Sequence, residues 1–201
     1  MKKLPVFLLL SLASVGAVAD NTRGFYAGLG YNAAAFRDGT SFDKAESDFD
    51  GNFGGLELIG GYKYNSALGA ELRIGMGLSD KGLNAEAIED GADPVTHTLD
   101  TELALDRYEA LYYRPELVNE EAKLYALLGY ARLKRSATTT NAGDSTFGEG
   151  ETSVTESGFS YGVGIGFVVN QDLNLNFEYR RMNEGKVGDT EIAGINLDYR
   201  F

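Results

Sequence analysis

The sequence predicts an all-β chain folded as an eight-stranded antiparallel up-and-down transmembrane β-barrel. Three observations carry that prediction. Apolar residues recur at every second position in segment after segment, as in "GINLDYRF" at 194–201, and side chains along a strand alternate faces. The opposite face of these segments is rich in glycine, with charges of both signs interleaved. The connections alternate between short and long, the meander expected of a bacterial outer-membrane barrel.

The 201 residues suit one domain. Lys2 and Lys3 open the chain, Leu4 to Val15 is largely apolar, and Ala17-Val18-Ala19 precedes Asp20. A basic start, an apolar stretch and a small-residue site read as a secretory signal peptide over 1–19, cleaved between Ala19 and Asp20. A spanning helix needs ~20 apolar residues, more than this interrupted run supplies. Residues 20–201 are then the barrel domain. Losing Lys2 and Lys3 takes the formal charge from −12 to −14. That acidity argues against nucleic acid, whose phosphates call for a basic surface. The absence of cysteine excludes disulfides.

The strands follow in order. In 25–32, Phe25, Ala27, Leu29 and Tyr31 oppose Tyr26, Gly28, Gly30 and Asn32. Segment 54–65 fits less cleanly. In 68–78, Leu68, Ala70, Leu72, Ile74, Met76 and Leu78 oppose Gly69, Glu71, Arg73, Gly75 and Gly77. In 105–114, Tyr108, Ala110 and Tyr112 are read as lipid-facing, with Arg107 and Glu109 opposite. Segment 122–134 is apolar on both faces until Arg132, which leaves its phase open. Segments 159–167, 173–180 and 193–201 alternate cleanly and end on Phe201. Connections at 65–67, 115–121 and 168–172 are short; those at about 35–53, 79–104, 135–155 and 183–190 are expected as longer loops.

A soluble β-sandwich also alternates, but its polar face meets water and favours Lys, Thr and Ser over glycine. Glycine weakens an ordinary strand, whereas eight strands enclose an interior just wide enough for side chains, where small residues make room. By this phase Glu57, Lys63, Glu71, Arg73, Arg107, Glu109, Glu178, Arg180, Asp198 and Arg200 face the lumen. Charges withdrawn from water must pair. They are expected as packed ion pairs, with a narrow pore as the competing reading.

A leader, the opening "GFYAGLGYN", the alternating strands and a terminal Tyr199-Arg200-Phe201 resemble the small outer-membrane β-barrel family of OmpX, Ail, NspA, the opacity proteins and the OmpA membrane domain. The likeness spans 20–201. It implies that Ile195, Leu197, Tyr199 and Phe201 form the terminal signal read by the barrel assembly machinery. It also implies outer-membrane lipid and lipopolysaccharide as surroundings, with a host or environmental ligand conceivable at the surface loops.

Other motifs have plainer readings. "ESDFDGNFGGLE" at 46–57 nearly fits a calcium loop, with Glu46, Asp48, Asp50 and Glu57 as weak ligand candidates. Glu46 stands where aspartate is wanted, so a hydrated acidic loop is expected and no metal is assigned. The acidic loops as a set would suit divalent cations shared with lipopolysaccharide phosphates. His97 is the sole histidine; a catalytic histidine needs a nucleophile in reach and an acid to orient it. Gly162, Gly164 and Gly166 have the period of a strand, not of a nucleotide loop. The expectation is a non-enzymatic surface protein without cofactor, envelope-structural or surface-interacting, with a porin-like channel or an opacity-type adhesin as alternatives.

Overall fold

The computed structural model describes residues 23–38, 52–78, 81–89, 95–141, 148–183 and 188–201. The leader with Ala19 and Asp20, and the loop carboxylates Glu46, Asp48 and Asp50, lie outside the described residues. The strands are β1 (Gly24–Asp38), β2 (Asn52–Asn65), β3 (Leu68–Gly77), β4 (Lys81–Glu89), β5 (Val95–Val118), β6 (Ala122–Asn141), β7 (Gly150–Val168), β8 (Leu173–Asn183) and β9 (Gly188–Arg200). β3 and β4 both pair with β5, β3 from Leu68↔Pro115 to Gly75↔Tyr108 and β4 from Lys81↔Leu103 to Glu89↔Val95. They are two pieces of one stave, so the ring has eight antiparallel staves. β1 closes it against β9, from Tyr26↔Arg200 to Asp38↔Gly188. Closure leaves no strand edge within that stretch of wall, the condition for placing a sheet in lipid.

The three short turns share one device. Asn65, Asn119 and Asn170 each turn a side-chain oxygen onto the backbone N–H groups two and three residues ahead. Asn65 Oδ1 accepts from Ala67 and Leu68 at 2.8 and 2.9 Å, and Asn119 Oδ1 from Glu121 and Ala122 at 2.9 and 2.7 Å. Asn170 Oδ1 accepts from Asp172 and Leu173 at 3.0 and 2.9 Å. Asparagine favours turns through this local bond, and all three lie at the end that carries Arg23 and Phe201.

The wall is inverted relative to a soluble domain. Leu58, Leu111 and Val163 are 62, 61 and 59 % exposed on the outside, while Glu71 and Arg73 are fully buried inside. Aromatic pairs ring the turn end of the outer face: Phe25 with Tyr62 at 4.7 Å, Tyr62 with Tyr64 at 5.3 Å, and Tyr199 with Phe201 at 5.2 Å between ring centres. Tyr130, Phe159 and Tyr161 are exposed toward the other end.

Much of the sequence expected as loop at 79–104 and 135–155 is strand. β4 and the extensions of β5, β6 and β7 pair onward past the ring, through Leu99↔Asn141 and Thr139↔Gly150. These extensions carry threonine on both faces, so they lack an apolar period, yet threonine is a good strand former. Thr101 and Thr139 hydroxyls meet across the ladder at 3.0 Å. A bulge at Leu105/Arg107 shifts the register of β5 against β6. It reverses the parity of β5, so Leu103 and Leu105 keep the inward face above it.

Candidate functional site

The lumen holds two layers. Nearer the turn end, the polar faces of the strands deliver a connected set of charges. Arg73 on β3 sits at its centre: Nη1 donates to Glu57 Oε1 at 2.9 Å and Glu178 Oε2 at 2.5 Å, and Nη2 donates to Glu71 Oε1 at 2.6 Å. Arg180 on β8 reaches across to β2, donating from Nη1 to Glu57 Oε2 at 2.8 Å and to Tyr108 Oη at 3.1 Å. Arg114 donates to Glu71 Oε2 at 2.9 Å, pairs through Nε with Glu116 at 2.7 Å, and stacks 3.8 Å from the Tyr125 ring centre. Lys63 donates to the other Glu116 oxygen at 2.7 Å. Toward the turns, Asp198 accepts from Lys123 at 2.8 Å and from Asn174 and Asn176 at 2.7 Å each. Arg200 Nε lies 3.8 Å from Asp198. Buried charges persist only when paired and hydrogen-bonded, and here each carboxylate meets at least one cation.

Glycine makes this packing fit. A Cβ on Gly61 would overlap the Tyr26 ring, and one on Gly164 would overlap the ring of Tyr125, whose hydroxyl donates to Glu178 at 2.6 Å. The glycine face is therefore a shelf on which tyrosine rings lie against the wall while their hydroxyls join the charge layer.

Above the charges the lumen turns apolar. Ala34, Leu127, Ala131, Leu133, Met182 and Ile192 pack as one buried cluster, with Leu103 and Leu105 against it. A void of about 20 Å³ beside Tyr108, Leu133 and Ile192 is the size of one water.

Eight of the residues assigned to the lumen from the sequence, Glu57, Lys63, Glu71, Arg73, Glu178, Arg180, Asp198 and Arg200, are buried there. Glu57, the last ligand candidate of the calcium-loop motif, has both oxygens engaged by arginines. Arg107 and Glu109 are corrected. They face outward, paired at 2.5 Å with side chains 60 and 35 % exposed, while Tyr108, Ala110 and Tyr112 point inward. Among the four charges of this segment, with tyrosine and aliphatic carbon on both faces, the phase was taken from Arg107 and Glu109. They sit past the lipid-facing band, where charge on the outer wall costs little. The true phase is carried by Leu111 and Tyr113 within the window and by Leu117 beyond it, all exposed.

Sequence reasoning also passed over Glu116, which lies in a connection read as a turn, Arg114 and Lys123, which flank it, and Asn174, Asn176 and Asn196, which lie on faces already read as polar. Tyr26 stands on the face read as polar, whereas Tyr108 and Tyr112 were assigned to the outer face and Tyr125 to neither, because an amphipathic ring fits either face.

On the outside, β5 and β6 place Arg107 directly opposite Lys134, and Glu109 opposite Arg132. Lys134 lies 3.5 Å from Asp106, which also accepts from Ser136 at 2.8 Å. His97 Nδ1 lies 3.2 Å from Asn141 Nδ2, and strand alternation puts Asp100 on the opposite face from His97. Ile195, Leu197 and Tyr199 are exposed on the outer face of β9, and the backbone N–H of Phe201 donates to Phe25 at 3.1 Å.

Three solved structures are similar in fold. Ail of Yersinia pestis, in complex with the heparin analogue sucrose octasulfate, is 19% identical with a TM-score of 0.57, covering 90% of this chain and 99% of that one. Neisserial surface protein A is 14% identical with a TM-score of 0.55, covering 89% and 97%. The N-terminal β-barrel domain of Pseudomonas aeruginosa OprF is 10% identical with a TM-score of 0.51, covering 89% and 99%. Among curated proteins no sequence matches. The family model described as the outer membrane protein beta-barrel domain matches residues 6–201. With its closed ring, apolar exterior and polar interior, the chain belongs to that family of outer-membrane barrels.

Proposed function

We propose that this barrel is a sealed, non-enzymatic wall element of the outer membrane, with an envelope-structural role and a surface formed by its strand extensions and loops. The observation that carries the proposal is the filled lumen: ion pairs cross it between β3 and β8 and between β8 and β2, and an apolar layer lies above them. A pore would need a continuous wet path through both layers. The packed lumen therefore favours the wall over the channel.

An adhesive role has weaker support. Ail was solved with a sulfated sugar analogue, but the outer face of the extended strands here carries Asp100, Glu102 and Glu151 and would repel sulfate. On the same reading, residues 1–19 are a cleaved export signal and the alternate residues ending at Phe201 engage the assembly machinery.

The test is a deletion strain. Loss of the protein should raise entry of a dye that the intact outer membrane excludes, and complementation should restore exclusion. Unchanged dye entry in the deletion strain would contradict the proposed role.

A further inference from the structure

We infer that the outer wall carries a binding site for the phosphates of an outer-leaflet glycolipid, built from Arg107, Arg132 and Lys134. The inference rests on the membrane orientation in the proposed function, not on whether the lumen is sealed. Three features of the wall converge on it.

The first is position. On β6 the outward residues run Leu124, Ala126, Leu128 and Tyr130 and then change to Arg132 and Lys134; on β7 they run Val163, Tyr161 and Phe159 and then change to Ser157 and Thr155. Tyr130 and Phe159 are 58 and 54 % exposed. The cations therefore begin one residue pair above the last aromatic rings. In a membrane barrel those rings mark the boundary between acyl chains and headgroups, so the cations stand at headgroup level.

The second is unbalanced charge. Arg107 and Lys134 face one another across the β5–β6 ladder, an arrangement that is unfavourable for like charges without an intervening anion. Glu109 holds Arg107, and Asp106 holds Lys134 more loosely. Arg132 makes no ion pair with any described residue. Exposed pairs of this kind are weak, so a doubly charged phosphate can exchange for either carboxylate.

The third is shape. Arg107, Glu109, Arg132, Lys134 and Thr155 line a groove of about 190 Å³. Beside it the Ser157 hydroxyl meets Tyr130 Oη at 3.1 Å. Guanidinium groups bind phosphate through two parallel N–H donors, and the hydroxyls add donors at its edge. Above the groove the outer face turns acidic at Glu102 and Glu151, which keeps the cationic band narrow and confines an anion to headgroup depth.

The experiment uses the folded protein in phosphatidylethanolamine vesicles containing bisphosphorylated lipid A, dephosphorylated lipid A or neither. The readouts are the heating midpoint of its gel-mobility shift and the apparent affinity for lipid A. Bisphosphorylated lipid A should raise the midpoint of the wild type and dephosphorylated lipid A should not. Arg107→Gln/Arg132→Gln/Lys134→Gln should keep the folded mobility and bind bisphosphorylated lipid A at least about tenfold more weakly, as expected for loss of a charge-assisted bond. Glu109→Gln should bind more tightly, because a competing carboxylate is gone. Equal stabilisation by the dephosphorylated lipid, or equal binding by the triple variant, overturns the inference. So does a midpoint shift of the same size from inorganic phosphate alone, which would mark an ion site and not a lipid site. A conducting barrel would still bind the lipid, so this result and that for the sealed wall can fail separately.

Discussion

Arg73 and Arg132 are the same side chain on opposite faces of one wall. Arg73 is fully buried and bonded to three carboxylates on β2, β3 and β8. Arg132 stands in the open, opposite Glu109 with no ion pair to a described residue. The difference comes from strand parity. Parity assigns each charge either to the packed interior, where it must be neutralised, or to the rim, where it is available to a ligand. The inner charges hold the cylinder; of the outer ones, Arg107 and Lys134 are paired at the surface and Arg132 makes no ion pair with a described residue.

The inner face is the more vulnerable of the two. Arg73→Met removes the shared cation and leaves Glu57, Glu71 and Glu178 crowded without their common partner. Stranding buried charge in this way costs about 3–5 kcal/mol, so the urea midpoint of the vesicle-bound barrel should fall steeply, or folding should fail. A wild-type midpoint would mean the layer is wet enough to screen itself. Next in size is Gly164→Leu, which drives a side chain into the Tyr125 ring. Overpacking of that kind costs about 1–3 kcal/mol, and an unchanged midpoint would show that the ring does not lie on the wall. Smallest is Arg132→Gln, which should move the midpoint by no more than about 0.5 kcal/mol. A loss as large as that of Arg73→Met would erase the distinction between the two faces.

Much of the wall was legible because one face of its strands is greasy and the other is not. Segments 68–78, 159–167, 173–180 and 193–201 each contain that contrast within eight to eleven residues, and their inward charges followed. Reading failed where the contrast vanished. In 105–114 tyrosine occupies both faces, and the bulge beside Asp106 reverses parity at one end of the window. The strand extensions past Leu105 and Arg135 have polar residues on both faces, so nothing periodic announced them. The Asn turns and the tyrosine shelf depend on what lies across the ladder, which a single strand does not reveal. Charge at the rim was misread for a related reason: alternation gives the face of a residue but not its depth in the membrane.

On this reading the two lumen layers seal the barrel. Single-channel recording on the purified protein in a planar bilayer tests it most directly. Sealed by those layers, the wild-type barrel should give a silent trace at ordinary voltages and salt. Large, steady conductance steps from correctly folded protein would contradict it.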